Sequence, residues 1–211
     1  YDVAMTKNRK QKEYPRHIIE RIVTEQMRLV PDDGELYCNA IRNVYAAFDI
    51  AERYTNRIIV RSIVTFGLAG LTQVVDIPTA PVLSVAVVKY YDADDVLQTL
   101  DSKDYELIAS EDCTSIEFFR IPQLSSRRRY NRVLVETVCG YSDYEDAETR
   151  EPLDAGGIVL PGNIEAAVQL RAGTLSEADG DAIIGRTIGA LPLTVERLLN
   201  PYRMTPYGWQ D

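Results

Sequence analysis

Apolar residues along this chain recur at different spacings in successive stretches, and each spacing predicts a different element. From about Asp33 to Thr55, Leu36, Ala40, Ile41, Val44, Phe48, Ala51 and Tyr54 recur at intervals of three and four. That spacing draws one apolar stripe along a long helix. Asp32 and Asp33 offer an N-cap and negative charge at the positive end of the helix dipole, with Arg53 and Arg57 at the other end. Upstream, Ile18, Ile19, Ile22, Val23 and Met27 recur at mixed spacing, which predicts a short helical piece near 25–29 that Thr24 can cap. Residues 1–16 are polar and show no period. They read as an arm, with Lys7, Arg9, Lys10 and Lys12 either solvated or touching an acidic partner or nucleic acid.

From Arg57 to Cys139 the pattern changes. Ile58–Val60, Ile63–Phe66, Val74–Ile77 and Val82–Tyr91 are rich in β-branched and aromatic residues, the signature of strands. Tyr90–Leu100 reads as a hairpin that turns at Asp92–Asp95, because aspartate side chains bond nearby backbone and tolerate left-handed geometry. Further strands are predicted at Tyr105–Ala109, Ser115–Ile121 and Arg132–Val138. No helix separates them, so the expected arrangement is antiparallel rather than a parallel βαβ sheet. Beyond it, Pro161 and Pro192 each sit where a helix starts without needing its N–H. Ile164, Ala167, Val168, Ala172 and Leu175 form a face of the first helix, and Leu191, Val195, Leu198 and Leu199 a face of the second. Gly180, Gly185 and Gly189 predict a loop between them.

The expected fold is therefore α+β. A long N-terminal helix and C-terminal helices pack with an antiparallel sheet or small sandwich in the middle, and an extended C-terminal tail follows. The expected organisation is an N-terminal arm (1–23), a helical domain (24–56 and 158–199), a β domain inserted between its halves (57–141) and a tail (200–211).

The tail changes the picture most. It carries Tyr202, Arg203, Met204, Tyr207 and the lone tryptophan, Trp209. Such residues fray into water unless something holds them, and Tyr, Trp and Arg are the usual anchors of protein interfaces. The tail thus predicts a chain gripped by another protein. The net charge of −9 argues against a sequence-reading DNA binder, which needs a positive surface. It is compatible with an ordinary solvated surface or with an acidic lumen past which DNA slides. Against that background the run Arg127–Arg128–Arg129, with Tyr130, stands out: it reads either as a solvated loop tip or as a contact for an acidic face of a neighbouring subunit or for DNA phosphates.

Catalytic chemistry is poorly supplied. The single histidine, His17, has no nucleophile beside it in sequence. No Walker A loop and no G-x-G-x-x-G follows a strand, and the aspartates at 92–95 lack EF-hand spacing. The acidic run Asp143–Glu148 reads as solvated. Cys38, Cys113 and Cys139 are odd in number and widely spaced, which fits reduced thiols; Cys38 and Cys139 read as core filler. No apolar run approaches the ~20 residues that cross a bilayer. No catalysis, cofactor or metal is expected. A small β-sandwich enzyme or carbohydrate-binding module is the alternative from another class; as an enzyme it would work through an acidic pair such as Asp143 and Glu145.

The order of these features resembles the head–tail connector, or adaptor, proteins of tailed double-stranded-DNA bacteriophages. The resemblance rests on Thr24–Leu29, the acidic step Pro31–Asp33, and a long helix ending Ala51–Arg57. It continues through Pro81–Val85, the Tyr90–Asp92 hairpin, Tyr105–Leu107 and a strand ending Gly140–Tyr141. Leu160–Pro161 before an alanine-rich helix and the close Leu198–Arg203 complete it. The chain departs from the pattern at Asp95, where glycine is common, and in a plainer Arg171–Leu175. It also runs on through Asp211. The resemblance implies a homo-oligomeric ring, commonly twelve subunits, in the neck of a virion, assembled in the host cytoplasm. It implies docking on the portal protein through Leu198, Leu199, Pro201, Tyr202, Arg203, Met204, Tyr207 and Trp209. It further implies a platform for a stopper or tail-terminator protein and non-specific passage of double-stranded DNA. A tail-completion or stopper protein is the neighbouring alternative.

Overall fold

The computed structural model describes residues 5–109, 114–127, 130–146, 148–154, 156–180 and 192–204. Its chain divides into two compact units, one formed by Tyr1–Glu13 with Val60–Gly140 and the other by Tyr14–Ile59 with Tyr141–Asp211. Four α-helices and two antiparallel sheets are found among the described residues, so the α+β class holds.

The first unit contains all the strands: β1 (Met5–Glu13), β2 (Arg61–Leu68), β3 (Val74–Ile77), β4 (Val82–Tyr91), β5 (Leu97–Thr99), β6 (Tyr105–Ala109), β7 (Thr114–Phe118) and β8 (Val133–Cys139). They form a five-stranded sheet in the order β1-β2-β8-β4-β5 and a three-stranded sheet in the order β3-β7-β6. Strict alternation decides which side of β8 faces inward: Val133, Val135, Thr137 and Cys139 are buried and the residues between them are half-buried. Opposite them on β2 lie Leu68, Phe66, Val64 and Ser62, all buried. Burial pushes the Cys139 thiol up, which keeps it protonated and unreactive. In the smaller sheet Val75, Ile77, Ile116 and Phe118 make the buried rows.

Gly140 closes β8 at φ +104°, and its N–H donates to the Pro81 carbonyl at 3.0 Å. A β-carbon there would stand 2.7 Å from the Arg61 backbone. Only glycine satisfies both the positive φ and the close approach.

The second unit contains α1 (Arg16–Arg21), continued by a π-helical turn at Ile22–Gln26, then α2 (Glu35–Thr55), α3 (Gly162–Gly180) and α4 (Leu193–Leu199). Ala40, Val44, Ala47, Phe48 and Ala51 form the buried stripe of α2, which packs against α3 through Ile164, Ala167, Val168 and Ala172. Small residues at these positions let the two helices approach closely. Ile18, Ile22 and Val23 are fully buried, and Val195 and Leu199 dock α4. Asn43 donates to Ser176 Oγ at 3.1 Å across the α2–α3 packing.

Several expectations need correction. The chain does not open with the long helix, and Met5–Glu13 is no free arm: β1 pairs with β2 from Met5↔Leu68 to Glu13↔Arg61. Its lysines, asparagine and glutamine have poor strand propensity, but an outer strand tolerates them and lysine there discourages unwanted pairing. The short helix lies at 16–26 rather than 25–29, and Thr24 does not cap it; its hydroxyl bonds back to the Glu20 carbonyl at 2.8 Å. Asp33 caps a separate 3-10 turn, Pro31–Asp33, through the Val30 N–H at 2.6 Å, and Gly34 at φ 60° precedes α2. Leu36, placed on the apolar stripe, is 65% exposed in the first turn. Ile58 and Ile59 are buried but lie outside a strand, because β2 starts at Arg61. Cys38 is exposed rather than core. Cys113, Gly185 and Gly189 lie outside the described residues.

Replacing Gly140 by alanine tests the closure of β8. Gly140→Ala is expected to lower the unfolding free energy by about 3 kcal/mol, because strain and a backbone clash coincide. Equilibrium urea denaturation measures it, and an unchanged midpoint contradicts the account.

Candidate functional site

Two features of the helical unit carry polar chemistry: its C-terminal surface and a buried ionic cluster. The surface begins where α4 ends. Leu199 and Val195 anchor the helix inward, and the chain then makes a 3-10 turn at Asn200–Tyr202, with Pro201 at a position where its missing N–H costs nothing. Two bonds tie this turn to the end of α2. Arg57 Nε donates to the Tyr202 carbonyl at 2.6 Å, and the Met204 N–H donates to the Thr55 carbonyl at 2.8 Å. The second satisfies one of the orphan carbonyls that every helix C-terminus leaves. The Arg203 guanidinium sits 5.6 Å above the Tyr54 ring, within range of a cation–π attraction. Between α4 and Tyr54 lies an open groove of about 360 Å³, lined by Tyr54, Leu193, Glu196, Arg197, Asn200 and Pro201. Leu193 on its rim is 62% exposed.

The ionic cluster centres on Glu165 in the first turn of α3, only 5% exposed. Its carboxylate accepts from Arg21 at the end of α1, from the Tyr144 hydroxyl at 2.5 Å and from Arg150 at 3.2 Å. Arg150 also donates to the Leu160 carbonyl at 2.5 Å. The Tyr144 ring, 1% exposed, packs against both guanidiniums, with centroid distances of 4.9 Å to Arg21 and 4.6 Å to Arg150. Burial pushes the Tyr144 phenol up, and its bond to Glu165 adds to that. Burial alone would lower Arg21, but its bonds to Tyr144 and Glu165 outweigh it and hold the guanidinium above its ordinary value. Nearby, Asp143 accepts the His17 main-chain N–H at 2.9 Å and lies 3.1 Å from its Nδ1. Asp143 thus caps α1 from a remote loop, since Pro15 offers no side-chain cap.

The run Asp143–Glu148 is therefore only partly the solvated loop expected: Tyr144 is buried and Asp143 is engaged, while Glu145, Asp146 and Glu148 are exposed. Sequence reasoning missed the cluster because its members are spread from Arg21 to Glu165 with no shared period. The one local signal was a tyrosine inside an acidic run. Chemically the cluster offers no reacting group. Its carboxylate is saturated by two guanidiniums and a hydroxyl. Among the described residues, no group of three His, Cys, Asp or Glu stands ready for a metal, and no helix is long and apolar enough to cross a membrane.

Of the residues expected to grip a portal, Pro201 and Arg203 are exposed, and Leu198, Tyr202 and Met204 are half-buried on the same surface. Leu199 is fully buried and holds α4 rather than presenting a contact. Tyr207 and Trp209 lie outside the described residues, as do Arg128 and Arg129. Arg127 and Tyr130 are exposed on the β unit, Tyr130 by 67%. Leu193 and Tyr54, which complete the groove, were not anticipated as contact residues. Leu193 was not part of the apolar face inferred for α4.

No family model matches the chain, and no curated protein matches it in sequence. Solved structures do match in fold. A chain from the neck of an empty gene transfer agent particle, computed with C6 symmetry, aligns with a TM-score of 0.69 at 19% identity, covering 98% of this chain and 100% of that one. A chain from the neck of the native particle, computed with C12 symmetry, gives 0.65 at 17% identity, again over 98% and 100%. A chain from the virion of the native particle gives 0.66 at 18%, over 95% and 96%. The likeness spans both units, so this chain has the complete fold of those chains.

Glu165→Gln should destabilise the protein by about 3 kcal/mol, since it strands two half-buried guanidiniums. Tyr144→Phe should cost about 1–3 kcal/mol, since the hydroxyl both donates to Glu165 and accepts from Arg21. A phenol raised in the fold contributes its stability below the unfolded value and loses it as pH climbs through the folded one. Wild-type stability should therefore fall at alkaline pH above the ordinary tyrosine value of 10.0, and Tyr144→Phe should lose less there, the remainder coming from Tyr105 and Cys139, which burial also raises. Urea denaturation across that range measures all three.

Proposed function

We propose that this chain is a head–tail adaptor of a phage-like particle, a structural protein that forms a homo-oligomeric ring in the neck between capsid and tail. The observation that carries the reading is the extent of the fold match. Chains from particle necks align over 98% of this chain and 100% of their own length. An unrelated α+β protein has no reason to reproduce both units and their order. The C6 and C12 symmetries of those necks favour a ring, with twelve subunits as the expected count.

In this reading the C-terminal surface meets the portal protein. Leu193 and Pro201 stand exposed at a groove and Arg203 lies over its Tyr54 ring, while Arg57 and Thr55 hold the intervening backbone in place. A segment pre-shaped by such bonds loses less freedom on docking than a loose peptide does. The continuation of the chain through Tyr207 and Trp209 supplies further anchors, and repetition around a ring turns a modest contact into a durable one. The ring extends the DNA channel and offers its far side to a stopper or tail-terminator protein. An acidic chain of net charge −9 suits a passage along which double-stranded DNA must slide without sticking. Nothing in this role requires catalysis.

Mass photometry of the protein mixed with portal rings of the same virus tests it. The portal peak is expected to gain the mass of a whole ring of subunits. The double variant Leu193→Asp, Arg203→Ala, altered only at exposed positions, should weaken that association at least tenfold while leaving the circular dichroism spectrum unchanged. A native protein that stays monomeric and ignores the portal overturns the reading.

A further inference from the structure

The outer strands of a β-sheet each turn a row of N–H and C=O groups away from the sheet, and natural proteins either block those rows or use them. In the five-stranded sheet the outer strands are β1 and β5, at opposite ends of the order β1-β2-β8-β4-β5. Their charges are opposite. Strand β1 carries Lys7, Arg9, Lys10 and Lys12 against Glu13, whereas the segment around β5 carries Asp92, Asp94, Asp95, Asp101 and Asp104 against Lys103.

Both ends are accessible. Lys7, Lys10 and Lys12 are exposed, and pairing of Lys7 with Phe66 and of Lys10 with Ile63 puts them on opposite faces of the sheet. Positive charge therefore borders both faces of that edge. At the other end all three residues of β5 are exposed, and Val96 and Leu97 are 52% and 46% accessible beside the turn. Exposed apolar side chains on an outer strand are a hazard unless a partner covers them.

The hairpin holds its aspartates in fixed positions. Asp92 accepts from the amides of Asp94 at 3.0 Å and Val96 at 2.9 Å, and from Gln98 Nε2 at 2.8 Å. Asp101 accepts from the Lys103 amide at 3.1 Å, and Asp95 from Ser125 Oγ at 3.0 Å. These bonds hold Asp92, Asp95 and Asp101 in place.

We infer that in the assembled ring β1 of one copy lies along the β4–β5 hairpin of the next, sheet edge to sheet edge, with the lysines of β1 facing the aspartates that flank β5. The inference rests on the ring reading above and names the contact that builds the ring. Charge complementarity selects the occupant. Two β1 edges, or two β5 edges, meeting about a twofold axis would set like charge against like, whereas the head-to-tail meeting pairs opposite charges. A contact between different patches on each copy is the heterologous kind that closes into a ring. Backbone pairing at such an edge supplies affinity, and the flanking charges fix register and direction.

Charge reversal tests it on the full chain. Lys7→Glu/Lys10→Glu/Lys12→Glu on β1, or Asp94→Lys/Asp104→Lys on the hairpin, should each reduce the ring fraction at least tenfold at fixed concentration, read by mass photometry. One chain carrying both sets has complementary edges again and should recover ring formation. Rings of either single-edge variant in wild-type yield overturn the contact but leave the ring reading intact. A native protein that forms no ring, alone or on the portal, overturns both. Cross-linking decides the case of a variant that fails to fold. Native rings mixed from light and heavy-isotope subunits and treated with a zero-length carbodiimide should yield light–heavy links between residues 7–12 and 92–104. Rings that give no such link overturn the contact. Loss of DNA retention with rings intact in the β1 variant also overturns it, in favour of phosphate binding.

Discussion

One carboxylate, that of Glu165, draws together segments that the sequence keeps far apart. It binds Arg21, 144 positions away at the end of α1, and Tyr144 and Arg150 from the loop that re-enters the helical unit after β8. A charge this buried is costly unless it is paired and fully hydrogen-bonded. The cost is offset only when α1, the loop and α3 all occupy their native positions together. Removing one partner leaves the others uncompensated, so the cluster favours one arrangement over looser alternatives. The apolar packing of Ile18, Ile22, Phe48 and Val168 supplies the bulk of the burial, and the cluster sets which segment sits where.

The surface proposed to dock depends on that frame. Helix α4 is short, and a seven-residue helix has little stability of its own. Val195 and Leu199 bury into the unit, and the bonds from Arg57 and Met204 fasten the following turn to the end of α2. Exposed residues such as Leu193 and Arg203 are thereby held in defined positions without being buried themselves. The β unit follows the same division of labour: alternating rows in β2 and β8 make its interior, and β1 and β5 lie at the outer ends of its larger sheet.

Much of the architecture was legible along the chain because its signal is local. The three-and-four spacing from Ala40 to Ala51 is the buried stripe of α2, and Tyr105–Ala109 is a strand to the residue. The Asp92 turn forms through the side-chain bonds to backbone that favour aspartate in turns. Pro161 and Pro192 mark the starts of α3 and α4, since a proline there gives up no helical bond. Each of these follows from periodicity or from the stereochemistry of one residue.

Tertiary structure alone decided the rest. Strand β1 is polar and aperiodic, and only pairing with β2 makes it a strand. Leu199 and Leu198 look equivalent in sequence, yet one is core and the other half-exposed, because the phase of a short helix is set by what it packs on. Tyr144 within an acidic run reads as solvated until Arg21 and Arg150 pack over its ring. The sequence by itself determined the local preferences: helix, strand, turn, and a terminal stretch rich in anchoring residues. The pairing of distant charges and the opposite charge of the two sheet edges came only with the fold, because both depend on contacts between residues that no local pattern links.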